Sequence, residues 1–217
     1  MYIIDIADDH PLVREAMLHL LQEQFADAHI RVAENLAQLF AQLRSGSEPD
    51  LVLLDLQLPD ATGYDGLSAL LREFPQLPVA MLSANDDRST MLQAMAHGAI
   101  GFISKTSDKD QLVHAIKQLL QGEIYLSAAP FRHSAGSPLP ATAPGSEWQQ
   151  KIAALTPQQK KVLRELRKGY SNKLIARELD CGETTVKTHV SALLEKLGQT
   201  NRNQLIALCA QFDLSDE

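Results

Sequence analysis

The sequence predicts an α/β fold: a five-stranded, doubly wound parallel sheet over residues 1–126, joined through residues 127–150 to a small all-α domain of four helices over residues 151–217. Three observations predict it. Short apolar runs alternate with helical patterns through the first half and then cease. A stretch between the halves holds four of the chain's ten prolines and has no apolar period. The charge also changes sign across that stretch, with 8 Lys+Arg against 18 Asp+Glu in residues 1–126 and 11 against 5 in residues 151–212.

The strands are expected at "YIIDIA" (2–7), "IRVA" (30–33), "LVLLD" (51–55), "LPVAMLS" (77–83) and "IGFIS" (100–104). Between them, "PLVREAMLHLLQEQF" is expected to place Leu12, Met17, Leu20 and Leu21 on one helical face, and "LAQLFAQLR", "GLSALLREF", "MLQAMAHGA" and "KDQLVHAIKQLLQG" repeat the pattern. Five β/α units with short connections imply a parallel sheet, because parallel neighbours need a crossover and a helix usually supplies it. Right-handed crossovers then cover both faces of the sheet. The stretch "SAAPFRHSAGSPLPATAPGSEWQQ" reads as a semi-extended linker. Beyond it, "LTPQQKKVLRELRKGY" opens with Thr156 as N-cap, Pro157 at the first helical position and Gln159 in the capping-box position, and stops at Gly169. "SNKLIARELD" reads as a short second helix, "ETTVKTHVSALLEKLG" as a third ended by Gly198, and "NRNQLIALCAQF" as a fourth.

Composition narrows the function classes. The chain has 217 residues, 45% of them hydrophobic, enough to bury a core in each of two domains. No apolar run approaches the roughly 18–20 residues that span a bilayer, and the start lacks the basic-then-apolar layout of a secretory signal, so a soluble, cytoplasmic protein is expected. Cys181 and Cys209 form neither a metal-ligand spacing nor a disulfide framework. The net charge of −7 argues against a nucleic-acid partner for the chain as a whole, but not for its basic second half.

In an open parallel sheet, ligands bind beyond the carboxyl ends of the strands. There the chain gathers Asp8 and Asp9 after the first strand, Asp55 at the end of the third, Ser83 at the end of the fourth and Lys105 after the fifth. Singly, an Asp at a strand end is a turn residue or a helix cap. Three carboxylates in one pocket repel unless a hard cation sits among them, and an open, wet edge with few protein ligands suits Mg²⁺. With Lys105 as a second positive charge and Ser83 as a hydroxyl donor, the set is equipment for holding a phosphoryl group on an Asp.

These residues carry a resemblance. "ADDH", "LLDLQLPDATG", "LSA" and "GFISK" make the first 126 residues similar to the receiver domain of two-component response regulators. The resemblance implies that Asp55 is the phosphoacceptor and that Asp8, Asp9 and Asp55, with the backbone carbonyl of Gln57, hold Mg²⁺. It implies that Ser83 and Lys105 contact the phosphoryl group and that Phe102 is a switch aromatic. Asp5 departs from the pattern, lying inside the first strand where the family usually has an aliphatic residue. A buried unpaired carboxylate is expensive, so Asp5 is expected to face a wet edge or find a donor, with no catalytic role.

In the second half, a short helix, a turn at Asp180-Cys181-Gly182 and a longer helix have helix-turn-helix spacing. Val186, Val190, Leu193 and Leu197 should face the core, with Ala176 allowing close helix crossing. Thr184, Lys187, Thr188 and Ser191 should face a major groove, and Lys173 the phosphate backbone. "LTPQQKKVL", "GYSNKLIARELD" and "TVKTHV" resemble the LuxR-type helix-turn-helix of the NarL/FixJ family. Ser191 stands where family members often carry Lys, and Gly182 at the N-cap where Ser or Thr is usual.

Together the two resemblances imply a regulator phosphorylated on Asp55 by a sensor histidine kinase to control DNA binding and transcription. They imply a homodimer when active, on half-sites about 10 bp apart or a multiple of that, with RNA polymerase as a possible further partner. The chain is not expected to be an enzyme beyond its own phosphotransfer and dephosphorylation. An Asp-nucleophile phosphohydrolase is the enzymatic alternative, but Gln57 occupies the position of its usual second acid. A phosphorylation-independent DNA-binding regulator, using its receiver for dimerisation or ligand sensing, is the other.

Overall fold

The computed structural model describes residues 2–127 and 151–209, except the side chains of residues 203 and 207–209. The chain divides into two compact units, residues 1–133 and 134–217. All but the first residue of the linker expected at 127–150 lies outside the described residues, as do the ends of the chain beyond 209.

The first unit is a parallel sheet with the order β2-β1-β3-β4-β5-β6. Its strands are β1 (Tyr2–Ala7), β2 (Ala28–Ala33), β3 (Leu51–Asp55), β4 (Val79–Ser83), β5 (Gly101–Ser104) and β6 (Tyr125–Leu126). Between them run α1 (Pro11–Gln24), α2 (Leu36–Ser45), α3 (Asp65–Glu73), α4 (Arg88–Ala96) and α5 (Lys109–Leu120). The strand order reverses between β1 and β3, which opens a crevice there at the carboxyl edge.

Both faces of the sheet are buried, so the strands are apolar without alternation. Along β3, Leu51 and Leu53 enter one core with Met17, Leu21 and Ile116. Val52 and Leu54 enter the other with Leu39, Leu67 and Met91. Asp55 continues this alternation past the point where aliphatic neighbours run out. Asn35, Asp87 and Asp108 cap α2, α4 and α5 by accepting from Gln38 N, Thr90 N and Gln111 N.

Two local findings modify the expectations, and a third decides between the two outcomes expected for Asp5. The sheet has a sixth strand, since Tyr125 and Leu126 pair with Gly101 and Phe102, closing the edge beside β5. Leu12 is 81% exposed, whereas Met17, Leu20 and Leu21 are buried. Leu12 and Met17 are five positions apart, which turns Leu12 well off the apolar stripe at about 100° per residue, and Val13 packs on the core instead. Asp5 is fully buried and finds its donor in Arg31, opposite it on β2. Arg31 Nε and Nη2 donate to Asp5 Oδ1 and Oδ2 at 2.5 and 2.6 Å.

The second unit is helical: α6 (Pro157–Arg167), α7 (Asn172–Glu178), α8 (Glu183–Leu197) and α9 (Arg202–Cys209), with residues 151–153 also helical. The capping box at α6 forms as expected, with Thr156 Oγ1 accepting from Gln159 N and Gln159 Oε1 from Thr156 N. Val186, Val190, Leu193 and Leu197 are buried, and so is Ala176. Gly198 ends α8 at φ 66°, a left-handed conformation that favours glycine.

Candidate functional site

The carboxyl edge of the first unit brings the expected polar residues together. Asp8 follows β1 and is fully buried, held by its N–H to the Ala33 carbonyl at 3.1 Å. Arg14, one turn along α1, donates to the Asp8 carbonyl at 2.8 Å and to Glu34 Oε1 at 2.8 Å. Asp55 ends β3, with its carboxylate Oδ1 accepting from Gln57 N at 3.2 Å. Lys105 follows β5, and its Nζ lies 2.7 Å from both Asp8 Oδ2 and Asp55 Oδ2. Ser83 Oγ accepts from Asn85 N at 3.1 Å, which leaves its own hydrogen to donate. His10, Val13, Asp55, Leu56, Gln57, Ser83, Asn85 and Lys105 line one open cavity of about 740 Å³.

Charge in this pocket is held under tension. Burial pushes the Asp55 carboxyl above its usual range, and the nearby Asp8 charge pushes the same way; Lys105 and the Gln57 amide pull against them without prevailing. Burial alone would lower the Lys105 ammonium, but hydrogen bonds and charge from Asp55 and Asp8 outweigh it and raise the pKa. Asp8 Oδ2 and Asp55 Oδ2 are buried without a hydrogen bond of good geometry, although both touch Lys105 as an ion pair. One ligand atom from each of Asp8, Asp9, His10 and Asp55 lies within 4.8 Å of the others. Three carboxylates gathered to that spread fit a hard divalent cation.

Phe102 is fully buried in β5, paired in register with Met81 and packed in the same core as Met91 and Ala94 of α4.

Two neighbours of the pocket escaped the sequence reading. His10 enters the acidic group because Pro11 starts α1 and leaves His10 as its N-cap in an extended conformation. Asp60, in the loop after β3, accepts from Leu36 N at 2.9 Å and Ala37 N at 2.8 Å, tying that loop to the start of α2. The Asp-His-Pro order was a readable signal for His10, whereas nothing near Asp60 in sequence announces α2, 24 residues away.

In the second unit, α7, the turn at Asp180 to Gly182 and α8 form the helix-turn-helix; Asp180 has φ 47°, a left-handed turn conformation. Thr184, Thr188 and Ser191 are exposed along α8, and Lys187 is half-buried with its Nζ 3.2 Å from Glu183 Oε1. Thr188 Oγ1 donates to the Thr184 carbonyl at 3.0 Å. Lys173 is exposed on α7, alongside Arg177. Arg202 of α9 donates to Asn172 Oδ1 at 2.8 Å and to the Tyr170 carbonyl, fastening α9 to the start of α7. Burial lowers the Arg202 pKa to about 10, which leaves it charged at neutral pH.

The sequence matches the family described as response regulator receiver domain over residues 4–117, and that described as bacterial regulatory proteins, luxR family, over residues 153–209. A glycerol metabolism activator of Pseudomonas putida is 40% identical over 217 residues, covering 99% of this chain and 98% of its own. The nitrate/nitrite response regulator protein NarL of Escherichia coli is 30% identical, covering 91% of this chain and 89% of its own. The RcsB response regulator of Salmonella typhimurium, 22% identical, shares the fold with a TM-score of 0.55 over 97% of this chain and 99% of its own. Among the described residues, no helix is long and apolar enough to cross a membrane.

Proposed function

We propose, from the premise that this chain belongs to the response regulators that join a receiver domain to a luxR-family output domain, that Asp55 is the phosphoacceptor through which the output domain is controlled. The observation that carries this reading is the placement of Asp55 at the end of β3, 2.7 Å from Lys105 and within one acidic group with Asp8 and Asp9.

In the proposed reaction an Asp55 carboxylate oxygen attacks the phosphorus of a phosphohistidine on a sensor histidine kinase. The new O–P bond forms as the P–N bond breaks, and the imidazole leaves. Bound Mg²⁺, held by Asp8, Asp9, Asp55 and the Gln57 carbonyl, would neutralise developing charge on the phosphoryl oxygens. Lys105 neutralises a second oxygen and gives up part of its contact with the Asp55 carboxylate to do so. The Ser83 hydroxyl donates to a third. Phe102 follows Ser83 toward the modified site, so the phosphorylated arrangement differs from the one described in the core beneath α4.

The same premise assigns double-stranded DNA to α8. Lys187, Thr188, Thr184 and Ser191 face base edges, and Lys173 a phosphate. The active species is a homodimer on paired half-sites, working in the cytoplasm, where RNA polymerase is within its reach. The Pseudomonas putida relative is an activator, and on that likeness the output of this chain is activation of transcription.

The test treats the full-length chain with Mg²⁺ and either beryllofluoride or a small phosphodonor, and measures intact mass and DNA affinity for wild type and Asp55→Ala. A phosphoryl adduct confined to wild type, with DNA affinity raised only in wild type, is expected. Equal DNA affinity in every state would refute control through Asp55 and return the phosphorylation-independent regulator.

A further inference from the structure

We propose that His10 is a nitrogen donor of the acidic pocket and turns its preference among divalent cations toward later first-row ions such as Co²⁺ and Ni²⁺. The inference rests on the reading above that this pocket holds a divalent cation.

His10 Nδ1 lies 2.6 Å from Asp9 Oδ1, 3.4 Å from Asp8 Oδ1 and 3.9 Å from Asp55 Oδ2. It therefore faces all three carboxylates at once. The backbone holds it there: Pro11 begins α1, and the His10 N–H donates to Asp8 Oδ1 at 2.9 Å. Lys105 and His10 divide the pocket between them. Lys105, 14% exposed, takes the buried Oδ2 atoms of Asp8 and Asp55, whereas His10, 60% exposed, sits on the Oδ1 atoms of Asp8 and Asp9 toward solvent. An ion entering from solvent meets His10 first.

An imidazole can serve an ion at this position: as a ligand the neutral ring carries its proton on Nε2 and turns the Nδ1 lone pair, 2.6 Å from Asp9 Oδ1, toward the ion. Oxygen donors suit Mg²⁺, but an imidazole nitrogen adds affinity along the series from Mn²⁺ to Ni²⁺ and little for Mg²⁺. His10 would thus act as a specificity-determining residue for the ion rather than for the phosphoryl group.

The experiment uses the full-length chain, wild type and His10→Gln, and titrates Mg²⁺ and Ni²⁺ by calorimetry at one pH. Asp8→Asn subtracts binding at the other six of the chain's seven histidines. A second readout loads Mn²⁺ and looks by electron spin-echo modulation for an imidazole ¹⁴N coupling. The expected result is Ni²⁺ affinity lower by about tenfold or more in His10→Gln, Mg²⁺ affinity within about twofold, and a ¹⁴N coupling that only wild type shows. Equal Ni²⁺ to Mg²⁺ ratios in wild type and His10→Gln, with both ions bound at the pocket and no ¹⁴N coupling, overturn the role of His10 and leave the cation site intact. Binding no different from Asp8→Asn for either ion overturns the cation site and this inference together.

Discussion

Replacing Arg31 with Met should cost the first unit about 3–5 kcal/mol near pH 8, the range for a buried ion pair that loses one partner. The regime follows from burial: Asp5 is fully buried and Arg31 only 16% exposed, so the variant strands a carboxylate that had two charge-assisted bonds of 2.5 and 2.6 Å. An exposed pair would be worth only about 0–1 kcal/mol. The cost should depend on pH in a definite sense. Burial raises the Asp5 pKa above 3.8, and Arg31 is the main influence holding it down, so its loss raises the pKa further. A group with a raised folded pKa contributes stability below its unfolded pKa and loses it as pH climbs through the folded value. The penalty of Arg31→Met should therefore shrink as pH falls through the raised folded values, until Asp5 is protonated in variant and wild type alike. Adding Asp5→Leu should recover most of the loss, because no charge is then left buried. Amide exchange of β1 and β2 in urea reads the first unit apart from the second. A cost below about 1 kcal/mol at pH 8, or one that does not change with pH, would refute the reasoning.

Asp55→Asn should stabilise the metal-free chain at pH 7, because ionised Asp55 carries the cost that raised its pKa, and the gain should fade as pH falls through that raised folded value toward the ordinary 3.8. Thermal unfolding of both proteins at pH 7 and pH 4 checks it, and an unchanged gap would count against it. Asp60→Ala removes the acceptor of Leu36 N and Ala37 N, a capping loss of about 1 kcal/mol. The exchange rates of those two amides should rise, while those of α5 should not. On the proposed DNA interface, Lys187→Ala should weaken binding and either relax sequence preference, if Lys187 reads a base, or lower the salt slope by about one, if it meets a phosphate. Unaltered affinity, preference and slope together would remove Lys187 from the interface.

The parts of the fold legible in the sequence were those whose signal is local. The strands of the first unit announced themselves as apolar runs, and Asp55, Ser83 and Lys105 were legible because each stands where such a run stops. The capping box at Thr156 was equally local. Two-residue β6 was missed because a strand that short has no period, and its pairing with Gly101 and Phe102 becomes visible only once β5 is placed. Leu12 was misplaced because an apolar residue one step off the stripe is indistinguishable from a core residue by composition alone. Asp5 shows the limit most clearly. Its burial was foreseeable from its place inside a strand, but its partner lies 26 residues away and is chosen by the parallel register of β1 on β2. A side-chain pair across a parallel sheet is separated in sequence by a whole crossover helix, so no window short enough to show a period can contain both members. His10 marks the opposite case. Its signal is local, a histidine wedged between two aspartates and a helix-starting proline, yet its proximity to Asp55 needs β3 to lie beside β1. Motifs at the ends of adjacent parallel strands therefore identify an acidic pocket well, and the side chains that tune it poorly, because the tuning contacts are set by strand order rather than by neighbours in the chain.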